Sequence, residues 1–140
     1  ANSENSIEKI TKLTKFWESL GGIVTNMKAD EHDQIFSTVS HLPHLLAFSL
    51  VNLINNKDNK NTLLNFAASG FRDFSRIAAS SPEVWKDITI QNQKSIIKDL
   101  ELFQKEITKL TGLIEAKDQK KLEDYFKLAS SIRKNWAKDN

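Results

Sequence analysis

Cysteine is absent from this sequence of 140 residues, which excludes disulfide bonds, cysteine-ligated zinc and thiol catalysis. Glycine occurs four times and proline twice, and few segments alternate β-branched with polar residues, so sheet-forming patterns are scarce. No apolar run approaches the roughly 18 residues that a membrane-spanning helix needs, and we therefore expect no membrane partner. The formal net charge is only +2, with lysines scattered among acidic residues. That distribution does not predict nucleic-acid binding.

The remaining composition is that of an ordinary globular protein, with 39% hydrophobic and 27% charged residues. A chain of this length fits one domain with a core of its own. We therefore predict a single all-α domain over residues 1–140, a helical bundle with long helices. The polar residues 1–6 contain no apolar signal segment, and together with the missing cysteines this is compatible with a cytoplasmic location.

Helical spacing of apolar residues predicts two helices in the amino-terminal part. The first covers residues 7–20 and ends at the Gly21-Gly22 pair. The second begins at an N-cap at Asp30 and runs on past Pro43. Because proline has no backbone N–H, we expect a disturbance of this second helix about four residues earlier, near Val39–Ser40.

A long helix is predicted in the carboxy-terminal part. Ser81-Pro82-Glu83 is a strong start signal, and the helix extends to about Ala116. Six apolar residues follow one another in steps of four and three along it: Ile96, Leu100, Phe103, Ile107, Leu110 and Ile114. Such a seam is suited to lying along another helix, either of the same chain or of a second copy. A break near Lys117-Asp118 leads to a last helix.

The histidines are the first candidates for chemistry. His41 and His44 are spaced i,i+3, so both project from one side of a helix and could hold a metal together with a carboxylate. No Asp or Glu has the spacing of a known metal-binding motif, and the alternative is a pair of imidazoles hydrogen-bonded in a polar groove. We therefore predict no metal ligand in this chain. Ser40 beside His41 is a sequence neighbour and not a strained nucleophile turn, which argues against a catalytic triad.

A cluster of charges between residues 70 and 77 is the stronger candidate. Arg72, Asp73 and Arg76 are spaced so that their head groups project from neighbouring positions of one helix, among apolar side chains. One interpretation is a buried Asp73–Arg76 ion pair that only organises the core. The other is a site for a substrate carboxylate, because a guanidinium binds a carboxylate through two parallel hydrogen bonds. Trp85 is then either a core residue or an aromatic wall of the pocket.

Several segments occur in an order that resembles one known family. They are His32-Asp33, Ser40-His41-Leu42-Pro43-His44, Gly70-Phe71-Arg72-Asp73-Phe74-Ser75-Arg76-Ile77-Ala78-Ala79-Ser80, Trp85-Lys86-Asp87-Ile88 and Asn92. At these separations they resemble the carboxy-terminal domain of prephenate dehydrogenases and of their arogenate and cyclohexadienyl dehydrogenase relatives. The resemblance spans roughly residues 16–110. It implies a dimerisation domain like the carboxy-terminal domain of 6-phosphogluconate dehydrogenase.

The resemblance also implies an enzyme of tyrosine biosynthesis, a homodimer that oxidatively decarboxylates prephenate or arogenate with NAD or NADP as cofactor. The cofactor site and the catalytic histidine would belong to an amino-terminal Rossmann domain, and this chain has neither its glycine fingerprint nor its strands. Residues 1–140 would then be the substrate-binding and dimerisation part. Alone, this part is expected to bind no cofactor and to transfer no hydride.

Roles for five residues follow from the same resemblance. It implies that Arg76 binds a substrate carboxylate and is oriented by Asp73. His44 and His41 would lie in the substrate pocket as hydrogen-bonding groups, and Trp85 would form part of its wall. The competing hypothesis is a helical bundle that serves association alone, with Asp73 and Arg76 as a structural ion pair.

Overall fold

The computed structural model describes the backbone of residues 6–139 and the side chains of residues 6–137; the polar residues 1–5 lie outside this range. Within it every regular element is a helix, which confirms the predicted all-α class. A π-helical segment, Ser37–His41, separates α2 from α3, and a 3₁₀ segment, Arg76–Ala79, follows α5. The α-helices are α1 (Ile7–Ser19), α2 (Ala29–Phe36), α3 (Leu42–Asn55), α4 (Lys60–Asn65), α5 (Ser69–Ser75), α6 (Pro82–Gln91), α7 (Gln93–Glu115) and α8 (Gln119–Asp139).

The chain divides into two compact units, Ala1–Asp99 and Leu100–Asn140, with the boundary inside α7. In the first unit, α3 packs against α5 and against the 3₁₀ segment that follows it. The second unit contains the rest of α7 and all of α8. The single domain predicted over residues 1–140 stays a prediction.

A glycine in the left-handed conformation ends α1, as the Gly21-Gly22 pair predicts. Gly21 has a φ of 83°, a region that residues with a side chain rarely adopt. Its N–H donates to the carbonyl of Glu18 at 2.9 Å, and the N–H of Gly22 donates to that of Trp17 at 3.0 Å. These bonds satisfy carbonyls that the last turn of a helix leaves without partners.

Pro43 disturbs the second helix at the place predicted from the sequence, and the disturbance is the π-helical segment Ser37–His41. Proline removes the donor that the carbonyl four residues earlier would normally use. The helix widens just before Pro43, where the N–H of Leu42 donates to the carbonyl of Ser37, five residues back. A π-type turn therefore carries the chain past the proline.

Asp99 of α7 binds the π-helical segment through two hydroxyl groups. Its Oδ2 accepts hydrogen bonds from Ser37 Oγ at 2.7 Å and from Thr38 Oγ1 at 2.8 Å. Ser37 is completely buried, so its hydroxyl has no access to water and needs this partner. Because the acceptor is charged, the bonds are stronger than those between neutral groups.

Two predicted helix boundaries are wrong. The helix expected to start after an N-cap at Asp30 already begins at Ala29, and Asp30 lies in its first turn, where a carboxylate interacts favourably with the helix dipole. The helix expected from Pro82 to about Ala116 is two helices, because Asn92 separates α6 from α7. The Asn92 side chain donates to the backbone carbonyl of Asp33, which lies 59 residues away in the sequence, and apolar periodicity does not register such a distant contact.

In the second unit, local polar contacts fix the turn between α7 and α8. Lys117 has a φ of 52° at the predicted break, and Asp118 caps α8 by accepting from the N–H of Lys121 at 3.0 Å. The Lys121 ammonium pairs with the same carboxylate at 2.8 Å, and this side-chain bond is the main cause that lowers the pKa of Asp118. Tyr125 Oη donates to Glu106 Oε2 at 3.3 Å, which joins the two helices.

Few apolar side chains are buried within this chain. Among the described residues, only Ala47 and Ile96 are apolar and almost fully buried, at 0% and 2% exposure. Ile107 and Ile114 of the predicted seam are 47% and 57% exposed, and Phe126 on α8 is 55% exposed. Apolar faces of this extent are typical of surfaces that another chain or domain covers.

The stretch Ala29–Asn55 is long and apolar enough, by length and composition, to cross a membrane. Core helices of soluble proteins meet the same criterion, so this is weak support for a membrane span. The stretch also carries three histidines and two hydroxyl groups that bind a carboxylate. The expected absence of a membrane partner stays a prediction.

We expect Ser37→Ala to lower the free energy of unfolding by about 1.5 kcal/mol, because a buried donor to a carboxylate is lost. Urea denaturation at one fixed protein concentration measures the change. Ser49→Ala is the matched control: that hydroxyl is exposed and donates to the carbonyl of Leu45 at 2.8 Å. Its removal should cost less than about 0.5 kcal/mol. Equal losses in the two variants would contradict the role given to Asp99.

Candidate functional site

Trp85 of α6 lies against His41, the last residue of the π-helical segment, and against His44 of α3. Its ring stacks on the imidazole of His44, with centroids 3.9 Å apart and an interplanar angle of 21°. His41 meets the same ring edge-on at 6.1 Å, and Phe48 does so at 6.5 Å. Three of the five residues predicted for the substrate site, His41, His44 and Trp85, are therefore brought together.

The hydrogen bond of His44 defines which of its nitrogens carries a proton. Its Nδ1 lies 2.9 Å from the carbonyl oxygen of Ser40. A carbonyl only accepts, so Nδ1 donates, and in the neutral ring Nε2 is left as an acceptor. Because Ser40 belongs to the π-helical segment, the distortion before Pro43 also orients this imidazole.

His41 is held as a neutral imidazole. Its Nδ1 lies 3.2 Å from Nδ2 of Asn92, an amide nitrogen that can only donate. Burial is the main cause that lowers the pKa of His41; the nearby His32 and His44 add to this effect, and Asp33 opposes it. At neutral pH the ring is therefore a hydrogen-bonding group and not a cation.

Arg76 is the first residue of the 3₁₀ segment, and its side chain is exposed. In the described part of the chain, its guanidinium has no hydrogen bond or ion pair. Asp73 is exposed as well, and among the described residues its carboxylate makes no hydrogen bond or ion pair through which it could orient Arg76. The expected structural ion pair between the two is therefore wrong. The 3₁₀ segment packs against α3, so an unpaired guanidinium lies on the element next to the helix of His44.

A polar cleft of about 600 Å³ adjoins the histidine group at Asn92. Its lining includes Thr38, Lys98 and Asp99, and none of the five residues assigned from the resemblance. Acidic, basic and amide groups are mixed along it, so it presents no dominant charge to a substrate carboxylate. Within the residues that the structure describes, no three histidine or acidic side chains are grouped to hold a metal ion.

Sequence reasoning misses two contributors to this group. Asn92 enters the resemblance without a role, although an asparagine inside a long helical pattern is itself a signal of a break. Phe48 lies four residues after His44, and that spacing places the two side chains on one face of a helix. Both residues could have been found from their positions relative to the histidines.

One protein family, described as "Prephenate dehydrogenase, dimerization domain", matches residues 28–128 of this chain. Over 128 residues the chain is 31% identical to cyclohexadienyl dehydrogenase of Zymomonas mobilis, covering 90% of this chain and 44% of that protein. Over 131 residues it is 36% identical to prephenate dehydrogenase of Bacillus subtilis, covering 93% of this chain and 34% of that protein.

Solved structures agree with this match. Prephenate dehydrogenase from A. aeolicus, crystallised in complex with hydroxyphenyl propionate and NAD+, aligns with a TM-score of 0.88 at 34% identity, covering 96% of this chain and 48% of that one. Synechocystis arogenate dehydrogenase aligns with a TM-score of 0.83, and the alignment covers 96% of this chain and 50% of the Synechocystis chain. At 24% identity the second likeness shows the fold alone.

Fold and matches together define the chain as a helical dimerisation domain from the carboxy-terminal part of a dehydrogenase. It belongs to the prephenate dehydrogenase dimerization-domain family, and the resemblance noted in the sequence is confirmed. The chain spans between about a third and a half of the length of the relatives that it matches.

We expect the protein to lose stability as the pH falls below about 6.5, with His41 as a contributor. The folded state disfavours the protonated ring, so its stabilisation is complete above the pKa of the unfolded chain and is lost as the pH drops towards the lower folded value. Urea midpoints between about pH 5 and pH 8 measure the decline. In His41→Asn, which cannot titrate there, the decline should be smaller. The same slope in both proteins would rule out this contribution.

Proposed function

We propose that this chain is the substrate-binding and dimerisation part of an NAD(P)-dependent prephenate or arogenate dehydrogenase of tyrosine biosynthesis. The complete enzyme oxidatively decarboxylates a cyclohexadienyl acid. Family membership and the activities named for the relatives support this assignment. The observation that carries the role of this chain is the unpaired Arg76, on the segment that packs against α3, the helix of His44.

Arg76 binds a carboxylate of the substrate. A guanidinium presents two parallel N–H donors that match the two oxygens of a carboxylate. An arginine without an internal partner keeps these donors available. Prephenate and arogenate are both carboxylic acids, so this recognition fits either one.

His44 and His41 form the polar side of the substrate pocket, and Trp85 forms its wall. His44 offers an acceptor nitrogen and is fixed by its bond to Ser40 at 2.9 Å. Stacking on Trp85 at 3.9 Å restricts rotation of the imidazole. Such a combination suits a ring-shaped acid, whose faces need apolar contact and whose oxygens need hydrogen bonds.

The dinucleotide cofactor is held by the remainder of the enzyme. Its pyrophosphate needs a glycine-rich turn between a strand and a helix. Gly21, Gly22, Gly70 and Gly112 do not have the spacing of that fingerprint, and residues 6–139 contain no strand. The residues present therefore do not fit the cofactor, and hydride transfer requires the rest of the protein.

The protein partner is a second copy of the same chain. The family is described as a dimerization domain, and α7 carries exposed apolar side chains along the predicted seam. Ile107 and Ile114 are about half exposed, so this chain leaves a large part of both uncovered. Apolar residues at heptad spacing on a long helix pack well against a partner helix.

In the complete enzyme, we expect Arg76→Ala to raise KM for prephenate or arogenate about 30-fold, the equivalent of about 2 kcal/mol. The reason is the loss of charged hydrogen bonds to the carboxylate. Steady-state kinetics on both acids measures the change. Arg76→Lys should recover only part of the affinity, because an ammonium cannot form the two parallel bonds.

Arg133→Ala is the matched control for that experiment. Its guanidinium lies on α8, 4.6 Å from the ring centroid of Trp136, and its removal should leave KM unchanged. An unaltered KM in Arg76→Ala, with the fold intact by circular dichroism, would leave association as the function of the chain.

We expect Ile107→Asp to weaken the homodimer at least about tenfold, because the substitution places a charge in an apolar interface. Analytical ultracentrifugation of the complete enzyme over a range of concentrations gives the dissociation constant. Thr108→Asp adds the same charge one position away from the seam, at an exposed residue, and should leave the dimer intact. A monomer at micromolar concentration in the unmutated enzyme would refute the dimer.

A further inference from the structure

Asn92 is a buried polar residue, 7% exposed, at the junction between α6 and α7. The flanking helices use both of its backbone groups. Its N–H donates to the carbonyl of Ile88 at 3.0 Å, and its carbonyl accepts from the N–H of Ile96 at 3.1 Å. The side chain therefore projects from a backbone position that two helices hold in place.

The side-chain amide of Asn92 has one orientation that fits its surroundings. Its nitrogen, Nδ2, lies 2.7 Å from the backbone carbonyl of Asp33. Half a turn of the amide would set its own oxygen against this carbonyl, two acceptors with no proton between them. The NH2 group therefore faces Asp33, and one of its two protons is used there.

The second proton of the amide determines the protonation of His41. Nδ2 of Asn92 also lies 3.2 Å from Nδ1 of His41. Because an amide nitrogen does not accept, Nδ1 is the acceptor, and the neutral ring carries its proton on Nε2. The carbonyl of Asp33 thus fixes the orientation of the Asn92 amide, and this amide in turn fixes the tautomer of His41.

His44 has the opposite arrangement. Its Nδ1 donates to Ser40, so in the neutral ring its Nε2 is the acceptor. Both rings contact Trp85. Next to this one indole, His41 therefore presents a free N–H donor and His44 presents a free acceptor nitrogen. Two histidines in opposite tautomers can bind substrate groups of opposite hydrogen-bonding character.

We propose that Asn92 is a positioning residue that fixes His41 in the Nε2–H tautomer, so that this histidine donates a hydrogen bond to an oxygen of the substrate. The inference rests on the proposed function of this site as a substrate pocket. Asn92 does not touch the substrate and acts through His41. Without the amide donor, the proton of the ring distributes between both nitrogens, and a fraction of the enzyme loses the Nε2–H donor.

Nitrogen-15 NMR of the histidine-labelled complete enzyme reads the tautomer without any measurement of activity. In the unmutated protein we expect His41 as the Nε2–H form, its signals assigned by their loss in His41→Asn. Asn92→Ala should give a mixture, and Asn92→Asp, which has nearly the same shape but only acceptors, should move the proton to Nδ1. A proton on Nδ1 of His41 in the unmutated protein would overturn the proposal, and that result requires no variant of Asn92 to fold.

Kinetics of the complete enzyme tests the consequence for the substrate. We expect Asn92→Ala to lower kcat/KM about tenfold and to displace the acidic limb of its pH profile towards higher pH, since Nδ1 is then free to take up a proton. Gln93→Ala removes an exposed amide one residue away and should change neither the tautomer nor the kinetics. A mixed tautomer with an unchanged kcat/KM would overturn the donor role of His41.

Arg76→Ala separates this inference from the proposed function. A raised KM in Arg76→Ala, with no effect of Asn92→Ala on either measurement, would keep the substrate pocket and refute the positioning role. An unchanged KM in Arg76→Ala would refute the pocket, and the donor role of His41 would be refuted with it.

Discussion

The missing backbone N–H of Pro43 is the constraint on which much of the first unit depends. An α-helix does not pass this residue unchanged, and the chain responds with the π-helical segment Ser37–His41. Within the wider turn, the buried hydroxyl of Ser37 binds a carboxylate, and the carbonyl of Ser40 binds the imidazole of His44. The helix distortion, the buried hydrogen bond of Ser37 and the orientation of the His44 imidazole therefore have one common origin.

The predictable parts of the fold are those that single residues control locally. The all-helical class, the glycine stop after α1, the disturbance before Pro43 and the turn at Lys117 follow from backbone preferences and apolar periodicity. The family segments likewise single out His41, His44 and Trp85, whose rings are in contact. The roles towards a substrate that we propose for them rest on the resemblance and not on their spacing.

The unpredictable parts depend on partners that lie far away in the chain or on exposure to water. Asn92 interrupts a helix that periodicity describes as continuous, and its side-chain partners are 51 and 59 residues away. Asp73 and Arg76 have the spacing of an ion pair, yet exposed side chains gain little free energy from pairing in water. Whether two such neighbours pair depends on burial, and a helical spacing does not determine burial.

The π-helical segment also has a genetic consequence. Relative to an α-helix it contains one additional residue, so it corresponds to the insertion of a single codon. Loss of one codon within Ser37–His41 would rotate α3 relative to α2 by about 100°, the angle that one residue covers in a helix. His44 would then turn away from Trp85. The number of residues in this segment therefore sets the direction in which α3 presents its side chains.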